Sequence, residues 1–126
     1  MIRSLLYVPA SAERFVAKAH ERGADAIILD LEDAVARSEK ASARARLSDT
    51  VKRVGQNGAK VFVRINADLD MIRLDAEAAC RAGAFGLFVP KVQTPVTLQE
   101  LAALLDNVER SIGRDKTVLV PMIEDA

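Results

Sequence analysis

Charged side chains recur at one place in this chain, directly after short apolar runs. Asp30-Leu31-Glu32-Asp33 follows one run, Arg64-Ile65-Asn66 ends a second, Pro90-Lys91 a third and Ile123-Glu124-Asp125 a fourth. Carboxylate oxygens without a Cys/His set suit a hard cation such as Mg²⁺ better than Zn²⁺. Arg64 and Lys91 add positive charge for an anionic substrate. Such a group could hold an α-keto acid by its carboxylate and carbonyl oxygens. The cation would stabilise the enolate formed as a carbon–carbon bond breaks.

Each residue alone has a plainer explanation. An Asp or Glu after a strand ordinarily caps the next helix, and an Arg at a strand end ordinarily serves an ion pair. The coincidence argues otherwise, because four successive runs end in charge. Strand alternation also puts Ile28, Asp30 and Glu32 on one face and Ile27, Leu29 and Leu31 on the other. Two carboxylates sharing a face repel, and they are costly in an apolar interior unless a cation or hydrogen-bond donors compensate.

The elements that position these groups alternate regularly. Five apolar runs, Leu5–Pro9, Ala26–Leu31, Lys60–Ile65, Gly86–Pro90 and Thr117–Ile123, read as strands covered on both faces. Helical patterns separate them. Ser11 is expected to cap a first helix running through Glu21 and stopping at Gly23. A second helix is expected from about Glu39 to Val54, with Leu47, Val51 and Val54 on one stripe. A third spans Leu69 to Ala82 and stops at Gly83. A fourth has Thr97 and Glu100 at capping-box spacing, an apolar stripe from Leu101 to Ile112, and Gly113 as its stop.

Strict strand–helix alternation means a parallel sheet, either doubly wound or closed into a barrel. Pro9-Ala10-Ser11-Ala12-Glu13 lacks the glycine-rich turn of a dinucleotide-binding fold. The strand-to-strand step of about thirty residues, taken eight times, gives the roughly 230–250 residues of a (β/α)₈ TIM barrel. The α/β fold expected is therefore about the first five strands of such a barrel, with residues 1–126 as the N-terminal portion of one domain. In a barrel the carboxyl ends of the strands share the face where active sites are built.

Gross composition removes other classes. The 18 basic and 18 acidic side chains cancel, which leaves no footprint for nucleic acid or an anionic membrane. Only four consecutive apolar residues, Leu5 to Val8, lie near the N-terminus, so neither a secretory signal nor a membrane span is expected there and a cytoplasmic location is. Cys80, the one cysteine, reads as a small buried hydrophobe, and His20, the one histidine, as a surface residue near a helix end.

At the charged strand ends the sequence resembles the citrate lyase β-subunit family, grouped with the HpcH/HpaI aldolases and including malyl-CoA lyases. Arg3-Ser4-Leu5-Leu6-Tyr7-Val8-Pro9 is similar to its opening "R-S-x-L-F-V-P". The most specific block is Ala24 to Val35, ADAIILDLEDAV, similar to "A-D-x-V-I-L-D-L-E-D-A-V". Lys40 with Arg44, Val63 to Asn66, Val89 to Lys91 and Met122 to Glu124 resemble its "K-x-x-A-R", "V-R-I-N", "L-P-K" and "I-E-T" pieces, in order.

The resemblance implies roles residue by residue. Glu124 would be a ligand of Mg²⁺, while Arg64, with Lys91, would bind the carboxylate of the oxo-acid. Glu32 and Asp33 would hold metal-bound waters and orient the site. Arg14, Lys18, Lys40 and Arg44 would contact a CoA-type thioester. The implied activity is carbon–carbon cleavage or condensation of a 3-hydroxy acid or its CoA thioester, in a homo-oligomer, trimeric or hexameric. Gln93 stands where the family often has Glu, and Asp125 where it usually has Thr, changes that bear on substrate choice. The second metal carboxylate, an Asp in a "G-x-x-D-L" block, would fall beyond residue 126, so this stretch alone is expected to be inactive. Two other readings stand beside this one: a non-catalytic half-barrel acting through association, and a phosphosugar-binding barrel.

Overall fold

The computed structural model of the protein describes residues 2–90 and 97–122. Among these residues five strands appear: β1 (Leu5–Pro9), β2 (Ala26–Asp30), β3 (Lys60–Arg64), β4 (Gly86–Val89) and β5 (Val118–Pro121). All neighbouring pairs are parallel and the spatial order is β1-β2-β3-β4-β5. Sheet order thus follows chain order without the reversal that defines a doubly wound sheet. This is barrel winding.

The helices are α1 (Glu13–Lys18), α2 (Lys40–Ala45), α3 (Leu47–Val54), α4 (Leu69–Ala82) and α5 (Thr97–Ile112), with 3₁₀ turns at Ala19–Arg22 and Arg37–Glu39. Ile27, Leu29, Leu31, Val61, Val63, Ile65, Leu87 and Val89 point from the strands into the main core, meeting Val16, Leu47, Val51, Val54, Ile72, Ala76, Leu101, Leu105 and Val108 of the helices. The opposite sheet face carries a smaller cluster of Ala26, Ile28 and Phe62, with Phe88 and Val120 packed against it. Alternation along β2 therefore divides its side chains as expected.

Register arranges this smaller face in rows. Tyr7, Ile28, Phe62, Gly86 and Val118 lie side by side across the five strands, and Pro9, Asp30, Arg64, Phe88 and Val120 form the next row toward the carboxyl ends. Gly86 lets the sheet close up at the first of these rows. A Cβ there would come within 2.7 Å of the Val118 carbonyl oxygen and 2.8 Å of the Phe62 ring. Phe62 in turn packs edge-on against Phe85 and Phe88, with centroids 5.4 and 5.3 Å away.

Several local expectations need correction. Ser11 does not cap α1: the N-cap position is Ala12, without a side-chain bond, and the helix gives way to a 3₁₀ turn at Ala19. The single helix expected over Glu39–Val54 breaks at Arg46 (φ −96°, ψ 2°), whose N–H is shared between the carbonyls of Ser42 and Ala43. The break lets α2 turn Lys40 and Arg44 toward polar partners while α3 turns Leu47, Val51 and Val54 into the core. The third helix has the bounds expected; Asp68 caps it by accepting from the Asp70 N–H, and Gly83 ends it at φ 89°, a conformation open to glycine at little cost. Glu100 pairs with Arg73 of α4, and the Thr97 side chain lies outside the described residues. Cys80 is buried and free, as its surroundings in α4 suggested. No helix among the described residues is long and apolar enough to cross a membrane.

Candidate active site at the carboxyl rim

Asp30 and Arg64 are partners in the parallel register of β2 and β3, and both project to the smaller face. Parallel neighbours on one face sit close enough for a salt bridge, and here the guanidinium meets the carboxylate as a fork. Arg64 Nε donates to Asp30 Oδ1 at 3.0 Å and Nη2 to Oδ2 at 2.5 Å. The pair is well enclosed, with side-chain exposures of 16% for Arg64 and 5% for Asp30. The same carboxylate folds the following loop by accepting the N–H groups of Glu32 (2.7 Å) and Ala34 (3.1 Å). This is the local turn that a short acidic side chain can template.

Burial by itself would push the Asp30 carboxyl up. The Arg64 hydrogen bond and charge, with the two backbone N–H groups, outweigh burial and hold it below the usual carboxylate range. The hydrogen bond to Asp30, with the charges of Asp30, Glu32 and Asp33, raises Arg64 despite its partial burial.

Two further carboxylates approach the same guanidinium. A Glu32 oxygen stands 3.8 Å from Arg64 Nε, and an Asp33 oxygen 3.7 Å from Nη2. Tyr7 of β1 lies under the cation, its ring centroid 5.8 Å from the guanidinium carbon. The structure thus gathers Glu32, Asp33 and Arg64, three residues singled out from the sequence, and adds Asp30 and Tyr7. Strand alternation places Asp30 on the shared face but assigns it no role. Its place opposite Arg64 depends on strand pairing, which composition and spacing do not reveal.

Behind this group, on the helix side, lies a second polar network. Lys40 Nζ donates to the carbonyls of Leu31 (3.0 Å) and Glu32 (2.6 Å) and to Asn66 Oδ1 (2.7 Å). Asn66 donates its backbone N–H and its side-chain amide to Asp75 Oδ2, at 2.9 and 2.7 Å. The other Asp75 oxygen accepts from Arg44 Nη1 at 3.0 Å. Lys40 and Arg44, expected at a thioester, are therefore turned into the protein. Arg14 and Lys18 are exposed on α1 and, with Tyr7 and Phe15, line a groove of about 660 Å³. Lys91 and Glu124 lie outside the described residues, as do Gln93 and Asp125.

Carboxylate oxygens are donors of the kind that suits a hard cation. Asp30 is engaged by Arg64 and two backbone amides, and the Glu32 and Asp33 carboxylates stand within 4 Å of the same guanidinium. Among the described residues no three His, Cys, Asp or Glu side chains are placed to enclose a metal ion.

Known proteins share this arrangement of sequence. A (3S)-malyl-CoA thioesterase of Cereibacter sphaeroides is 44% identical over 107 residues, 84% of this chain and 38% of that protein. The citrate lyase subunit beta of Leuconostoc mesenteroides subsp. cremoris is 35% identical, over 98% of this chain and 42% of its own length. The chain thus spans about two fifths of the length of these curated relatives. Among solved structures, a lead(II) complex of Haloferax volcanii malate synthase superposes with a TM-score of 0.74 at 16% identity, covering 98% of this chain and 40% of that one, a likeness of fold alone. RipC from Yersinia pestis superposes with a TM-score of 0.57 at 28% identity, over 100% of this chain and 48% of its own. The model of the HpcH/HpaI aldolase/citrate lyase family matches residues 3–126, and the chain belongs to that family.

Proposed function

We propose that this chain is the N-terminal portion of a barrel domain that cleaves or forms a carbon–carbon bond in a 3-hydroxy acid or its CoA thioester, with Mg²⁺. One observation carries the reading: a guanidinium fixed as a fork at the strand ends, with two rim carboxylates within 4 Å of it. An enclosed Arg64 offers a preset donor edge to a substrate carboxylate, and the pairing with Asp30 removes the entropy of orienting it. Glu32 and Asp33 supply negative charge that draws in a divalent cation and accept hydrogen bonds from its waters. In this reading Glu124 is a direct ligand and Lys91 assists Arg64 at the substrate. When bound, the cation supplies charge that lowers the energy of the enolate produced as the bond breaks. Arg14 and Lys18, beside the aromatic rings of Tyr7 and Phe15, face the thioester's anionic groups. The assembly is a cytoplasmic homo-oligomer.

A second outcome, thioester hydrolysis, is favoured by the 44% identity to a (3S)-malyl-CoA thioesterase. One assay separates the two. The full-length protein is incubated with 3-hydroxyacyl-CoA thioesters and free 3-hydroxy acids, with Mg²⁺ or with EDTA. The oxo-acid is trapped with phenylhydrazine and free CoA with a thiol reagent. Oxo-acid release that needs Mg²⁺ and is lost in Arg64→Met supports the lyase. Free thiol without oxo-acid moves the assignment to hydrolysis. Neither product from any substrate defeats both.

A further inference from the structure

We infer that Lys40 is a positioning residue for the rim carboxylates, held in place by a relay through Asn66, Asp75 and Arg44. The inference rests on the site proposed above and deepens it. β2 ends at Asp30, so the carbonyls of Leu31 and Glu32 lie just past the end of the strand. Lys40 takes both, and these two peptide groups carry the Glu32–Asp33 segment. From the opposite side Asp30 holds the N–H groups of Glu32 and Ala34. The segment is therefore gripped by an ammonium on its carbonyls and a carboxylate on its amides. Both grips set where Glu32 and Asp33 stand relative to Arg64.

The relay behind Lys40 is built to keep it there. Lys40 and Arg44 are four residues apart on α2 and so share a helix face. Asp75, 1% exposed in α4, accepts from Arg44 and twice from Asn66. The Asn66 amide is orientated without ambiguity, oxygen to the ammonium and nitrogen to the carboxylate, since the reverse would set like poles together. Three donors of one ammonium thus have three acceptors, from β2's end and β3's end. A lysine so engaged acts through Glu32 and Asp33 and not on a thioester.

The two roles differ in what they move. Loss of a group that orients a metal or substrate shell lowers affinity for the ion or turnover by about 10–100-fold. Loss of a thioester contact raises KM with kcat unchanged. In the full-length protein, Lys40→Met keeps the aliphatic stem and removes the ammonium. Amide hydrogen exchange is expected to speed up at least about 10-fold at Glu32 and Ala34, because their segment would keep the Asp30 grip on its amides but lose the ammonium on its carbonyls, with Ile27 to Leu29 unchanged. Turnover is expected to fall about 10–100-fold, with KM for the acid within about 3-fold because Arg64 stays on Asp30. Asp75→Asn, nearly isosteric, is the second variant, expected to loosen the same two amides to a smaller degree. It decides the matter should Lys40→Met fail to fold. Unchanged exchange at Glu32 and Ala34 overturns the inference whatever turnover does. A rise in KM for the thioester at constant kcat overturns it too, in favour of direct contact. A wild-type protein without lyase or thioesterase turnover defeats the proposed function, and the exchange measurement then still decides what Lys40 holds.

Discussion

The two ends of the sheet both carry charge, but they use it differently. At the amino end, Asp25 accepts the backbone N–H groups of Arg3 and Ser4, and the buried Glu109 accepts that of Thr117 at 2.6 Å. Arg114 donates to the carbonyls of Cys80 and Ala84 at 2.7 and 2.8 Å, closing the C-terminal end of α4. These three charges complete main-chain hydrogen bonding where strands begin and helices stop. At the carboxyl end, Arg64 faces the carboxylates of Asp30, Glu32 and Asp33 together. Charge matched to backbone is a folding device. Charge that meets other side chains at the strand ends is arranged differently, and that contrast is what the proposed function draws on.

The largest effect tests whether the rim has been built around Arg64. Arg64→Met leaves Asp30 enclosed with its two amide donors but no cation. Breaking an enclosed ion pair from one side costs about 3–5 kcal/mol, because the remaining charge is stranded. Urea unfolding should show that loss, and the lyase assay a loss of turnover as well. Adding Asp30→Asn should recover part of the stability and none of the turnover. A cost under about 1 kcal/mol, the range of exposed pairs, would mean that the fork is incidental.

A smaller effect is expected at the other end. Glu109→Ala strands the Thr117 N–H in a buried place, at about 1–3 kcal/mol. Turnover by the folded variant should match wild type, since Glu109 serves only the start of β5. If Glu109→Ala instead cut turnover tenfold with its unfolding midpoint unchanged, the division between the two ends would collapse.

Much of this architecture was legible in the residue pattern. Five apolar runs gave five strands to within about two residues wherever the structure describes them, because runs buried on both faces leave little choice of period or register. The third helix had the bounds expected because its apolar stripe and Gly83 agree. The rim was legible through Glu32, Asp33 and Arg64, whose types and positions at strand ends coincide. The Asp75 network was not. An acidic residue inside a helical pattern reads as solvated surface, and its partners lie 9 and 31 residues away in the chain. Pairings at that separation exist only once the strands are in register and the helices packed. The break at Arg46 escaped for the same reason, since α2 is held by rim contacts and α3 by the core.

The finest test of the comparison is its pH dependence. Asp30 has a folded-state pKa below its unfolded value of about 3.9. A group lowered on folding contributes stability that is present above the unfolded pKa. That contribution is lost as pH falls below about 3.9 and through the folded value, where the protein takes up the proton that Arg64 and the two amides had opposed. Asp30→Asn cannot take up that proton. Its amide oxygen can replace one acceptor, while its NH₂ group confronts both an Arg64 donor and a backbone N–H, so the variant is less stable at neutral pH. The gap in urea midpoint between wild type and Asp30→Asn should therefore narrow as pH falls through the acid window. Burial works against the ionised form, so the narrowing should be modest. A gap that stays constant down to full protonation would show that Asp30 holds the loop by shape and hydrogen bonding alone. The Arg64 pairing would then contribute no charge-dependent stability to the rim.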